Sequence, residues 1–200
     1  MQVKFAKNLN SGKLVTIKQG KYKLEWGFGK RQNKFVSNQI DIQKNKKCDS
    51  IIEDSVIKSS QTVKYENFLD DIDLQYIFSG SGIKENIIIK EKQNDYRYSF
   101  DLKANNLILS LVDNQIEACD KKTNDVILKI PVPFMYDANG EISNSVEYDL
   151  DQKGNKYTFT ITADSNWINS ADRKFPVVID PQVSTKQRKQ SITSAYITSG

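Results

Sequence analysis

Residues able to do chemistry are few in this 200-residue chain. The stretch PFMYDANGE, 133–141, sets Asp137, Asn139, Gly140 and Glu141 between two apolar runs. Oxygen ligands at alternate positions ahead of a glycine are half of a calcium loop. An EF-hand-type loop also needs a bidentate glutamate at its twelfth position. Counted from Asp137, that position is Tyr148, and Glu147 stands just before it. Asn-Gly between strand-like runs is the strongest short hairpin signal, because both turn residues need positive φ. A hairpin turn is expected here. Asp70, Asp71 and Asp73 form an acidic cluster whose charges need a cation. Lys84 and Arg97 are the expected neighbours, and a structural calcium ion is the alternative. Paired carboxylates facing one cleft also hydrolyse glycosides, a weak signal that any acidic stretch can offer. The chain has no histidine, which removes the Ser-His-Asp triad and makes a zinc site a poor fit. Cys48 and Cys119 form no CxxC and read as two thiols, with a disulfide as the alternative. No catalytic residue and no metal ligand is assigned.

Binding candidates come from the charge pattern. The chain holds 29 Lys/Arg against 25 Asp/Glu. Residues 1–64 carry 14 basic against 5 acidic side chains, and residues 65–200 carry 15 against 20. A basic front attracts nucleic acid, teichoic-acid-like wall polymers or anionic lipid. Lys18, Lys21, Lys23, Lys30, Arg31 and Lys34 are the candidates for an anionic polymer. Tyr22 and Trp26 are the candidates for stacking on sugar rings, the carbohydrate-binding alternative. Nucleic acid is set aside as a partner, because these basic residues spread over hairpin faces and match no recognised module. No apolar run approaches the ~18 residues of a membrane helix, so membrane insertion is not expected. The opening MQVKFAKNLN lacks the apolar stretch of a signal peptide, and both ends read as cut from something longer.

The elements that must position these residues are strands. KLVTIKQGKYKLEWGF alternates about a QGK turn, with Tyr22, Leu24, Trp26 and Phe28 on one face. KENIIIKEK, YRYSFDLKA, NLILSLVDNQIEACD and VEYDLDQKGNKYTFTITAD repeat the pattern, the last turning at QKGN. DVILKIPVPFMYD reads as one strand, and because Pro131 and Pro133 lack ladder donors it lies at an edge or bends where they fall. SNWINSADR, 165–173, reads as one helical turn capped by Ser165 or Asn166. About ten strands with frequent turns predict an all-β fold, an antiparallel β-sandwich or two packed small β lobes. The expected division is a basic front lobe at 1–60, a main antiparallel domain at 61–181, and a linker with the first strand of a following module at 182–200.

VKYENFLDDIDLQY, GIKENIIIKEK, YRYSFDLK, IPVPFMYDANGEISNSVEYDL, YTFTITADSNWINSADRKFPVVIDP and ITSAYITSG together resemble the β-rich region ahead of the DNRLRE module in secreted, cell-wall-associated bacterial proteins with RHS/YD repeats, including polymorphic toxins. The resemblance covers about residues 60–200 well and the front hairpin loosely. It implies an extracellular, wall-associated location. It also implies a non-enzymatic structural or spacer module whose partners are adjacent modules of the same longer chain, and the basic front adds an expected contact with an anionic cell-wall polymer. The matched positions read as architectural: Gly140 in a turn, Trp167 as a plug, Pro176 and Pro181 bounding the last strand.

Overall fold

Alternation of apolar and polar side chains builds two antiparallel sheets that bury one face of each against the other. The computed structural model describes residues 2–6, 9, 12–28, 40–44, 61–79 and 82–185. In chain order the strands are β1 (Gln2–Phe5), β2 (Val15–Gln19), β3 (Tyr22–Phe28), β4 (Ile40–Lys44), β5 (Gln61–Leu69) and β6 (Ile72–Ser79). Then come β7 (Gly82–Ile89), β8 (Arg97–Asn105), β9 (Leu107–Val112), β10 (Gln115–Asp120), β11 (Val126–Ile130) and β12 (Phe134–Tyr136). The last are β13 (Ile142–Ser143), β14 (Val146–Lys153), β15 (Lys156–Ala163), the helical turn α1 (Ser165–Ile168), β16 (Val177–Asp180) and β17 (Gln182–Thr185). The all-β sandwich expectation holds, with more and shorter strands than alternation alone suggests.

The first sheet has the order β1-β2-β3-β8-β15-β14. Strands from the front stretch and from the main stretch therefore share one sheet: Trp26 on β3 lies opposite Leu102 on β8. The second sheet runs β13-β12-β16-β7-β17-β11-β10-β9, with β4, β5 and β6 attached through β7. β16 and β17 lie end to end along the same side of β7, separated by Pro181. A proline cannot donate to the ladder, so the sheet forks at that point. Residues 182–185, expected in a linker, thus belong to the second sheet. Pro131 and Pro133 separate β11 from β12 in the same way.

Aromatic residues fill the gap between the sheets. Phe28 stacks on Phe68 at 4.8 Å between centroids and lies 5.0 Å from Phe100. Trp26 and Tyr65 both meet Tyr76 edge-on, and Tyr148 meets Phe159 edge-on. Such pairs each contribute about 0.5–1.5 kcal/mol beyond the area they bury.

One close approach needs a glycine. A Cβ on Gly27 would lie 2.6 Å from the carbonyl oxygen of Gly12. The loop at Gly12 and Lys13 crosses directly over β3 there, and Leu14 N–H donates to the Trp26 carbonyl at 2.8 Å. Gly27→Ala is expected to lower stability by about 1–3 kcal/mol through overpacking, read as a lower urea midpoint.

Glu85 on β7 is buried between the sheets. Tyr76 Oη donates to its Oε1 at 3.2 Å, and Trp26 Nε1 donates to Tyr76 Oη at 3.2 Å. Among the described residues no cation pairs with Glu85. Burial pushes its carboxyl from an ordinary value of 4.5 up to about 8. The folded state then holds a proton that the unfolded chain has already lost. The contribution of Glu85 to stability is greatest below about pH 4.5, falls as pH rises to about 8, and levels above that. Urea unfolding across this window is expected to show the fall, and Glu85→Gln to flatten it.

Candidate nucleic-acid interface

The face of the first sheet that turns away from the core carries a row of six side chains, four of them lysines. Leu24, Trp26, Leu102, Tyr157 and Phe159 point inward and are buried. Their neighbours must therefore point outward. The strand registers align these outward residues across all six strands. Lys4 lies opposite Thr16, Thr16 opposite Glu25, Glu25 opposite Lys103, Lys103 opposite Lys156, and Lys156 opposite Lys153. A second row, Gln2, Lys18, Lys23 and Asn105, lies beside it.

Three of these lysines stand in a geometry that costs stability. Lys103, Lys156 and Lys153 sit on adjacent strands in direct register and are exposed. No described carboxylate makes an ion pair with any of them. Like charges directly opposite each other across strands repel. Lys156 feels this from both sides. A polyanion laid along the row would remove the repulsion.

The row borders a cleft of about 310 Å³ lined in part by Lys13, Glu25, Asp101, Lys103, Lys153 and Lys156. Glu25 is its one buried charge. Burial would push its carboxyl up, but Lys23 at 2.8 Å and Lys13 at 3.3 Å outweigh that and hold it below the ordinary range. Glu25 is thus a fixed anion that gathers two lysines at one end of the cleft. The arrangement can bind phosphates through ammonium groups, with carboxylate and threonine oxygens beside them to accept from hydroxyls.

The residues expected from sequence fall in several places. Lys18 and Lys23 lie on this face. Lys21 does not: its Nζ is 2.7 Å from Asp120 Oδ2, which Tyr22 Oη also reaches at 2.6 Å. Those two donors, with the N–H groups of Thr123 and Lys122, hold the Asp120 carboxyl far below its usual range. Tyr22 is thereby tied to the second sheet, and Trp26 is buried with its indole N–H engaged. Neither ring is a platform for a sugar, which corrects the stacking expectation. Lys30, Arg31, Lys34 and Cys48 lie outside the described residues, while Cys119 is buried on β10.

The acidic groups also resolve. Asp73 is buried and ion-paired with Lys64 and Lys90 at 2.9 and 2.7 Å, not with the expected Lys84 or Arg97. Lys84 pairs with Asp180 instead. Asp137 Oδ1 accepts from the N–H groups of Asn139 and Glu141, and Oδ2 from Arg173 and Lys174. The DANGE loop is therefore a turn, Gly140 at φ 84°, stapled by its own aspartate. Arg173 also covers Trp167 at 4.2 Å. The cap of α1 is Asp164, one residue before the expected Ser165. Among the described residues no group of three His, Cys, Asp or Glu is placed to hold a metal ion.

The chain is 28% identical to the tRNA(Glu)-specific nuclease WapA of Bacillus subtilis subsp. natto and to the tRNA nuclease WapA of Bacillus subtilis. It is 27% identical to the tRNA3(Ser)-specific nuclease WapA of Bacillus spizizenii. Each similarity covers 97% of this chain and 8% of the relative, so the chain spans a small part of the proteins it matches. No family model and no solved structure matches.

These names correct several expectations. The DNRLRE-associated scaffold resemblance is replaced by similarity to tRNA nucleases. The non-enzymatic spacer, the carbohydrate-binding alternative, the wall-polymer partner and the exclusion of nucleic acid give way with it. A cell-wall association is in keeping with these Bacillus relatives.

The charge repulsion itself is testable. Lys156→Glu relieves both neighbours and is expected to raise stability by about 0.2–1 kcal/mol at low salt, read as a higher urea midpoint.

Proposed function

We propose that this chain is part of a tRNA-cleaving nuclease and that the outward face of its first sheet holds the tRNA backbone. The observation that carries the reading is the trio Lys103, Lys156 and Lys153, in register on three adjacent strands and without an ion pair among the described residues. Similarity to proteins named as tRNA nucleases runs over 97% of the chain. Relatives named for tRNA(Glu) and for tRNA3(Ser) match it about equally, at 28% and 27%. A surface that reads phosphates fits that pattern, since the backbone is common to all tRNAs. On this reading the protein works outside the cell, in association with the wall.

Binding of fluorescently labelled tRNA to the chain at rising salt tests the reading. The logarithm of the affinity is expected to fall linearly with the logarithm of salt concentration. Replacing Lys103, Lys153 and Lys156 by alanine is expected to reduce the slope by about 2–3, at roughly 0.7–0.9 per phosphate released. Lys156→Glu is expected to weaken tRNA binding even as it stabilises the fold, which separates a binding role from a structural one. Absence of tRNA binding at low salt, with the fold intact by circular dichroism, would remove the proposal.

A further inference from the structure

Beside the lysine trio the outward face opens into the cleft of about 310 Å³, whose lining mixes ammonium groups with carboxylates. Resting on the tRNA reading above, we infer that this cleft takes one unpaired guanosine of the RNA, its flanking phosphates held by Lys103, Lys153 and Lys156 and its base edge by Asp101.

Strands β3 and β8 form the floor and bring Glu25, Asp101 and Lys103 to it. One wall is the loop at Gly12 and Lys13, which lies over Gly27. The other is the β14–β15 hairpin, with Lys153, Lys156 and Thr158. Glu25 is already engaged by Lys13 and Lys23. Asp101 is exposed, and its register neighbours are Gly27 and Thr158, neither of which carries a charge. Among the described residues no cation forms an ion pair with it. Asp101 is therefore the carboxylate of the cleft that a ligand can use. It repels phosphate, so the group it meets must be a hydrogen-bond donor.

Guanine carries that donor in a matching form. Its Watson–Crick edge sets N1–H and N2–H side by side, two donors for the two oxygens of one carboxylate. Adenine and cytosine offer an amino group beside an acceptor, and uracil offers one N–H between two carbonyls. Guanine O6 accepts from a lysine ammonium. Lys103 stands two residues along β8 from Asp101, about 7 Å at about 3.4 Å each. A cation for phosphate or O6 and an acceptor for the donor edge thus lie within the reach of one nucleotide. In a duplex that edge is taken up by the pairing base, so the guanosine must be unpaired.

Stacking cannot supply the recognition here. Trp26 and Tyr157 border the cleft, but both are buried. Trp26 Nε1 donates to Tyr76 Oη, and Tyr157 Oη accepts from the Leu109 N–H. Every base has a π-face, so stacking tolerates any sequence. A base held by its edge is told apart from the other three.

Fluorescence anisotropy with the 200-residue chain at low salt tests this. The probes are labelled tRNA and labelled oligouridylates that carry guanosine, inosine, adenosine, cytidine or uridine at one central position. The guanosine oligomer is expected to bind about tenfold more tightly than the uridine oligomer, the effect of hydrogen bonds to a charged group. Inosine lacks the N2 amino group and is expected to fall between them. Asp101→Asn puts a donor where one oxygen stood, and is expected to bring the guanosine oligomer down to the level of the uridine oligomer. Equal affinity for all the oligomers, or a guanosine preference that survives Asp101→Asn, would overturn this inference and leave the tRNA reading standing if tRNA still binds. GMP binding as tightly as the guanosine oligomer would overturn the assignment to RNA in favour of a free nucleotide. Failure of tRNA itself to bind would overturn both.

Discussion

Trp26 meets Tyr76 and Phe28 meets Phe68 across the sheets, with Phe100, Phe159 and Tyr65 packed beside them on their own sheets, and this aromatic layer sets the direction of every other side chain on the first sheet. A strand alternates strictly, so committing one face to the layer commits the other to water. A register slip of a single residue would bury the lysines and expose the rings. The lysine row is therefore not an independent feature. It is the reverse side of the core, held in line by the same ladders that align the aromatics.

Most charges in this fold are arranged to be satisfied. Asp73 has two lysines, Asp120 has Lys21 and Tyr22, and Asp137 has Arg173 and three backbone N–H groups. Against that background two places stand apart. Among the described residues Glu85 is buried with a phenol and no cation, and Lys156 is flanked by like charges. Local conflicts of this kind are where function is expected, because folding alone would select against them. Lys156 lies on an exposed face that a polyanion can reach. Glu85 lies between the sheets, where its effect is on stability with pH.

Much of this was legible in the sequence. The all-β class, the hairpins at QGK and QKGN and the DANGE turn follow from period-2 alternation and from glycine or asparagine at the turns. Local pattern could not reveal which strands would be neighbours. The front hairpin joins β8 through a pairing about 80 residues away in the chain, since Lys23 lies opposite Asn105. Lys103, Lys153 and Lys156 looked like ordinary outward residues on separate strands, and only the sheet order makes them a row. A count of charge along the chain pointed to the first 64 residues, and so picked Lys21, which serves a structural ion pair. The stacking assignment of Tyr22 and Trp26 failed because alternation says that rings share a face without saying which face is buried.

The central claim is that nucleic acid lies on the outward face of the first sheet. The most direct measurement is lysine-acylation footprinting by mass spectrometry, with and without bound tRNA. Protection is expected at Lys103, Lys153 and Lys156. Lys64 and Lys129 alternate with buried residues of the second sheet and face outward on the opposite side, so their labelling is expected to be unchanged. Protection of Lys64 and Lys129, with the three row lysines labelled as in the free protein, would contradict the account.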